Sequence, residues 1–101
     1  MDENCYVEPI YKELVPAEQL QKAGKATLIV WGMGCPNCAT RVRNSLLALD
    51  GVYGVDVYLK MAVAEISYDS QKIRPTEFAA AIAKAGNDGH HEYRAQLVAM
   101  E

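Results

Sequence analysis

The densest chemistry in the chain lies in Cys35-Pro36-Asn37-Cys38. On a loop that enters a helix, cysteines at this spacing bring two sulfurs within reach of one ion, and the helix N-terminus favours the thiolate over the thiol. Thiolates are soft donors, which select Cu(I), zinc and similar thiophilic ions over magnesium or calcium. The same pair suits thiol oxidoreduction, with Cys35 attacking as the thiolate and Cys38 resolving the mixed disulfide, because thioredoxins also place Cys-x-x-Cys between a strand and a helix. The spacing alone leaves both chemistries open. Gly32 and Gly34 let the loop backbone bend and come close to an ion or a partner. Arg41, three residues past Cys38 on the same helical side, offsets part of the negative charge of a metal held by two thiolates.

Other candidate residues are weaker. Cys5, a single thiol near a terminus, reads most simply as a bystander. Its alternative role is a third sulfur, delivered by an N-terminal segment folded over the site or bridging metal between two subunits. His90 and His91 sit in the loop Asn87-Asp88-Gly89-His90-His91, expected at the same end of the sheet as the cysteines. They read as solvated turn residues, with a third metal ligand as the sharper alternative. Trp31 reads as surface packing and Met33 as core. Arg41 and Arg43 read as a solvated helix face, although an acidic partner surface would fit them. No Ser-His-Asp set, paired carboxylates or phosphate-cradling glycine loop is present, so no hydrolysis or group transfer is expected, and the chain is not read as an enzyme.

These residues must be positioned by a small body. The chain has 101 residues, half of them apolar and 23% charged, which is ordinary composition for one globular domain. Ten basic against 13 acidic residues, net −3, argue against a nucleic-acid footprint. No apolar run approaches the roughly 18 residues of a membrane span, so no direct membrane insertion is expected. The start Met1-Asp2-Glu3-Asn4-Cys5 lacks the basic and apolar stretches of a signal peptide. A cytoplasmic location with reduced thiols is expected, consistent with an odd number of cysteines.

Residues 1–24 read as an extension and 25–101 as the domain. In the extension, Pro16 opens a short helix over 17–23, stopped by Gly24. The run Ala26 to Trp31 is a strand ending at Gly32. After the cysteine loop, Ala39, Val42, Leu46 and Leu49 recur at helical spacing until Gly51. Val55, Val57 and Leu59, then Ala64, Ile66 and Tyr68, alternate with their neighbours as two strands. A second helix starts at Pro75, presents Phe78, Ala81, Ile82 and Ala85, and stops at Gly86. A last strand turns Tyr93, Ala95 and Leu97 inward. The order βαββαβ is the split βαβ of ferredoxin-like α+β folds: one four-stranded antiparallel sheet with both helices on one face. Ile29 and Trp31 then face the other way, with Tyr58 and Val63, as an apolar patch. Monomers seldom leave such a patch in water, so the extension or a second subunit, as a homodimer, is expected to cover it.

The run Gly32-Met33-Gly34-Cys35-Pro36-Asn37-Cys38, followed by Asp50-Gly51-Val52, Val55-Asp56-Val57, Ser67-Tyr68-Asp69 and Ala83-Lys84-Ala85-Gly86, resembles the heavy-metal-associated domain over roughly residues 26 to 98. That family comprises copper chaperones, metal-binding domains of copper-transporting P-type ATPases and mercury-binding resistance proteins. The resemblance implies a ferredoxin-like fold, metal ligation by Cys35 and Cys38, and Cu(I) as the foremost ion, with Zn, Cd or Hg(II) as alternatives. It also implies a copper-transporting ATPase or a copper-sensing regulator as partner. Transfer would proceed through a three-coordinate intermediate formed when a partner thiolate joins the two-coordinate ion. An excised domain of a larger transporter carries the same motif. Met33 corresponds to a methionine that plugs the core and is not a ligand. The sequence departs from the pattern at Gly34, where relatives often carry Thr, Ser or His and zinc-handling members often an acidic residue. It departs again after Gly86, where five residues precede the last strand.

Overall fold

The β-rich run before the cysteine loop becomes the middle of a sheet. In the computed structural model, which describes residues 8–12, 16–34, 36–86 and 92–100, the elements follow as α1 (Ala17–Lys22), β1 (Gly24–Trp31), α2 (Pro36–Leu47), β2 (Val52–Tyr58), β3 (Val63–Tyr68), α3 (Pro75–Ala85) and β4 (Arg94–Met100). The four strands pair antiparallel in the order β2-β3-β1-β4. With α2 on β2, α3 on β4 and the two helices in contact, this is the expected ferredoxin-like arrangement. Leu28 and Val30 from β1, Val42 and Leu46 from α2, Ile66 from β3, and Phe78 and Ile82 from α3 are all buried in one core. Burying side chains of this size contributes about 1.5–3 kcal/mol each from apolar transfer. The Phe78 ring meets Tyr68 edge-on, with centroids 5.0 Å apart.

Several boundaries differ from the sequence expectation, each for a local reason. Gly24 does not cap α1: Ala23 is already extended, and Gly24 opens β1 opposite Tyr68. A Cβ at position 24 would lie 2.9 Å from Tyr68 Cζ, so the glycine admits the ring. The helix after the cysteines ends at Leu47, and residues 48–51 form a turn closed by Gly51 at φ 95°; Leu49 still packs on the core from that turn. A register shift between Val52 and Gly54 lets both Val52 and Val55 face inward and brings the start of β2 forward to Val52. Leu59 falls in the turn after β2. Tyr93 is buried just before β4, while Leu97, paired with Leu28, is 39% exposed because β4 is an edge strand. Pro75 begins α3 as expected, and the Glu77 carboxylate accepts the Arg74 N–H at 3.0 Å.

The described part of the extension, residues 8–12, lies along α2. The Asn44 side chain accepts from the Ile10 N–H at 3.0 Å and donates to the Glu8 carbonyl at 2.8 Å, reading the peptide from both sides. Arg43 donates to the Ile10 carbonyl at 2.7 Å and stacks on the Tyr11 ring. Lys12 Nζ donates to the carbonyls of Leu49 (2.8 Å) and Val52 (2.7 Å), tying down the turn after α2. Partial burial lowers the Lys12 pKa from its usual value, opposed by the nearby Asp50 carboxylate. Lys12→Met removes both charge-assisted bonds at an exposed site, with an expected loss of about 1 kcal/mol, read as a lower urea midpoint at unchanged slope.

Residues 8–12 thus lie on the helix-bearing side of the sheet, away from its open face. Trp31 and Tyr58 remain 49% and 42% exposed on that open face. Beside them Asp56 and Glu65 are directly opposed across β2 and β3, and their charges raise the Tyr58 pKa from its usual value. No helix among the described residues is long and apolar enough to cross a membrane.

Candidate metal centre

The cysteine loop is held from both sides by packing. β1 delivers the chain to Gly32, whose φ of 101° is a conformation that residues with a side chain seldom adopt. A Cβ there would overlap the Glu92 carbonyl oxygen and lie 3.2 Å from the Tyr93 ring. On the other side of that ring, a Cβ on Gly86 would lie 2.8 Å from Tyr93 Cδ2. Tyr93 is therefore a buried wedge between the start of the cysteine loop and the end of α3. Sequence periodicity marked it only as an inward strand residue. The signal for its larger role is the pair of glycines that leave room for its ring.

Past Gly32, Met33 is half-buried and packs on the core, as the resemblance implies. Gly34 is exposed, and a Cβ on it would have nothing within 4 Å, so packing does not require glycine there. Helix α2 begins at Pro36, a favourable first helical residue. Cys38 follows in its first turn, 5% exposed and part of the core. No acidic residue stands in that turn, so the positive end of the helix dipole is left for a thiolate. Arg41 is half-buried on the same helix. Arg43 is not the merely solvated residue expected from sequence, since it binds the extension. Asn44, which no motif flagged, does the same.

Of the predicted ligands, the structure thus places Cys38. Cys35, Cys5, His90 and His91 lie outside the described residues. Among the described residues no three His, Cys, Asp or Glu side chains gather as a metal cluster. One buried sulfur at a helix start, preceded three positions earlier by a second cysteine, suits a two-thiolate centre for a soft ion.

Comparison with known proteins bears on the family and the fold. Residues 27–88 match the model of the heavy-metal-associated domain. The chain is 39% identical over 62 residues to the copper chaperone CopZ of Bacillus subtilis, covering 61% of this chain and 90% of that protein. It is 33% identical over 72 residues to the human copper-transporting ATPase 2, covering 70% of this chain but 5% of the much longer ATPase. Among solved structures, a copper-binding domain from the P-type ATPase HMA7 superposes with a TM-score of 0.70 at 26% identity, covering 77% of this chain and 97% of that one.

Proposed function

We propose, given that the chain belongs to the heavy-metal-associated domain family, that it is a Cu(I) chaperone that holds the ion between Cys35 and Cys38 and passes it on by thiolate exchange. The observation that carries this reading is Cys38, sequestered in the first turn of α2 at the end of a loop whose preceding cysteine is Cys35. Two soft donors bind Cu(I) tightly yet leave it under-coordinated, so an incoming thiolate can join before a resident sulfur leaves. Gly34 supplies no oxygen donor, which favours copper over zinc and cadmium. A copper-transporting ATPase or a copper-sensing regulator, carrying its own thiolates, is the acceptor of this reading. The cytoplasm, where thiols stay reduced, is the location it requires.

Anaerobic competition with a Cu(I)-specific chelator such as bathocuproine disulfonate tests the proposal, with one tightly held copper per chain as the expected result. Failure to compete, together with turnover in insulin reduction, would assign the pair to thiol oxidoreduction instead. His90 and His91 are bystanders in this reading. A His90→Ala, His91→Ala double variant is expected to retain the Cu(I) affinity and the thiolate-to-copper absorption; a weakened site would make one of them a ligand.

A further inference from the structure

Cross-strand pairing fixes which side chains share the open face of the sheet, because directly opposed residues point to the same side. Tyr58, Val63, Ile29 and Gln96 form an unbroken row across β2, β3, β1 and β4. One row nearer the cysteine loop stand Trp31 and Arg94, on β1 and β4. One row further from it stand Glu65 and Asp56, on β3 and β2, with Lys25 a row beyond. Arg94 and the carboxylate pair thus occupy diagonal corners, separated by about 13 Å along the strands and about 12 Å across them at ordinary strand geometry. Trp31, Tyr58, Asp56, Glu65 and Arg94 are all exposed. Like charges directly opposed on neighbouring strands destabilise a sheet, so a cation brought to Asp56 and Glu65 from outside the chain offsets a cost. The described part of the extension lies on the other side of the sheet and does not supply one.

We propose that this face is the contact of a copper-independent homodimer, in which Arg94 of each copy lies against Asp56 and Glu65 of the other and Trp31 of each packs on the other's Val63 and Tyr58. The diagonal layout makes the face complementary to itself. A two-fold axis between Ile29 and Val63 that carries Arg94 onto the acidic pair also carries Trp31 onto Val63 and Tyr58, so one symmetry operation satisfies both the charges and the apolar groups. Because the diagonal is about as long across the strands as along them, the two sheets cross near a right angle, one of the two usual modes of sheet packing. Lys25 and Arg94 balance Asp56 and Glu65, so two such faces meet without net repulsion. A face four strands wide and about seven residues long measures roughly 19 by 23 Å, or about 440 Å² a side. That is below the roughly 800 Å² a side of a standard interface, so the dimer is weak and concentration-dependent. It does not depend on the copper reading, since neither cysteine takes part in the contact.

The test uses the full chain, metal-free, with a chelator and a thiol reductant present so that neither copper nor a disulfide can join two copies. Sedimentation equilibrium from about 10 μM to 1 mM covers a range suited to so small a contact. The mass is expected to rise from one chain towards two, and the emission of Trp31, the chain's one tryptophan, to shift to the blue over the same range. Arg94→Glu is expected to weaken self-association at least about tenfold, and so is Asp56→Lys combined with Glu65→Lys, because like charges then meet across the contact. Mixing the two variants is expected to restore association, since both ends of the mixed dimer pair opposite charges. Far-UV circular dichroism checks that each variant, changed only at exposed positions, keeps its fold. A wild-type mass of one chain throughout the range, which would leave the face to a different protein, overturns the dimer. So does association that requires Cu(I). Variants that associate as the wild type does, or that mix without gain, overturn this face as its contact.

Discussion

Cys38→Ser is expected to lower Cu(I) affinity on the order of a hundredfold or more while leaving the fold in place. Altering only the outer partners of metal ligands typically costs about 10–100-fold, and removing one of two sulfur donors cuts deeper. The hydroxyl that replaces the thiol is a hard, protonated donor with little affinity for Cu(I). Cys38 is buried among apolar side chains, so the serine hydroxyl also bears a desolvation cost of about 1–3 kcal/mol unless it finds a hydrogen-bond partner. Circular dichroism and urea unfolding of the apo variant separate that structural cost from the metal effect. Cys35→Ser is expected to give the same loss of affinity, since two-coordination leaves no spare ligand. Near-wild-type chelator competition in either variant would show that other residues hold the ion.

Gly32→Ala is expected to destabilise the apo protein by about 4 kcal/mol. Strain at the positive φ contributes about 1–3 kcal/mol, and forcing a methyl group against the Glu92 carbonyl and the Tyr93 ring contributes about as much again. In a domain of this size such a change lowers Tm by roughly 15 °C or more. Gly34→Ala, two residues on, is the internal control, expected to fall within about 0.5 kcal/mol of wild type because a Cβ there meets nothing. Differential scanning calorimetry of the two variants makes the comparison. Equal stabilities would mean that Tyr93 does not wedge the loop.

The contrast between these glycines shows what the sequence could and could not convey. Period-two alternation in β3 and helical spacing in α2 and α3 were legible because each element has one buried face, and burial imposes its period on residue type. The Cys-x-x-Cys loop stood out because its residues are neighbours in the chain and chemically rare, and the strand before it and the helix after it are where the pattern put them. Gly32 and Gly34 look alike in sequence, however, and only the tertiary contact with Glu92 and Tyr93 makes one of them obligatory. The same holds for Asn44 and Arg43. Their partners are main-chain atoms more than thirty residues away, and a backbone amide leaves no trace in residue type. Val52 entered β2 through a register shift that strict alternation cannot encode.

The strand order separates the making of the site from the making of the sheet. Cys35 and Cys38 are near neighbours in the chain, but β1 lies between β3 and β4, and its pairing with Arg94–Met100 joins residues some 70 positions apart. Such non-local pairing is slow to form because loop closure precedes its reward. At a synthesis rate of roughly 5–20 residues per second, several seconds pass between the emergence of the two thiols and that of β4. During that interval the nascent chain already carries both sulfurs while one edge of β1 has no partner. Both thiols are therefore exposed to the solvent and its oxidants before the fold that shelters Cys38 is complete.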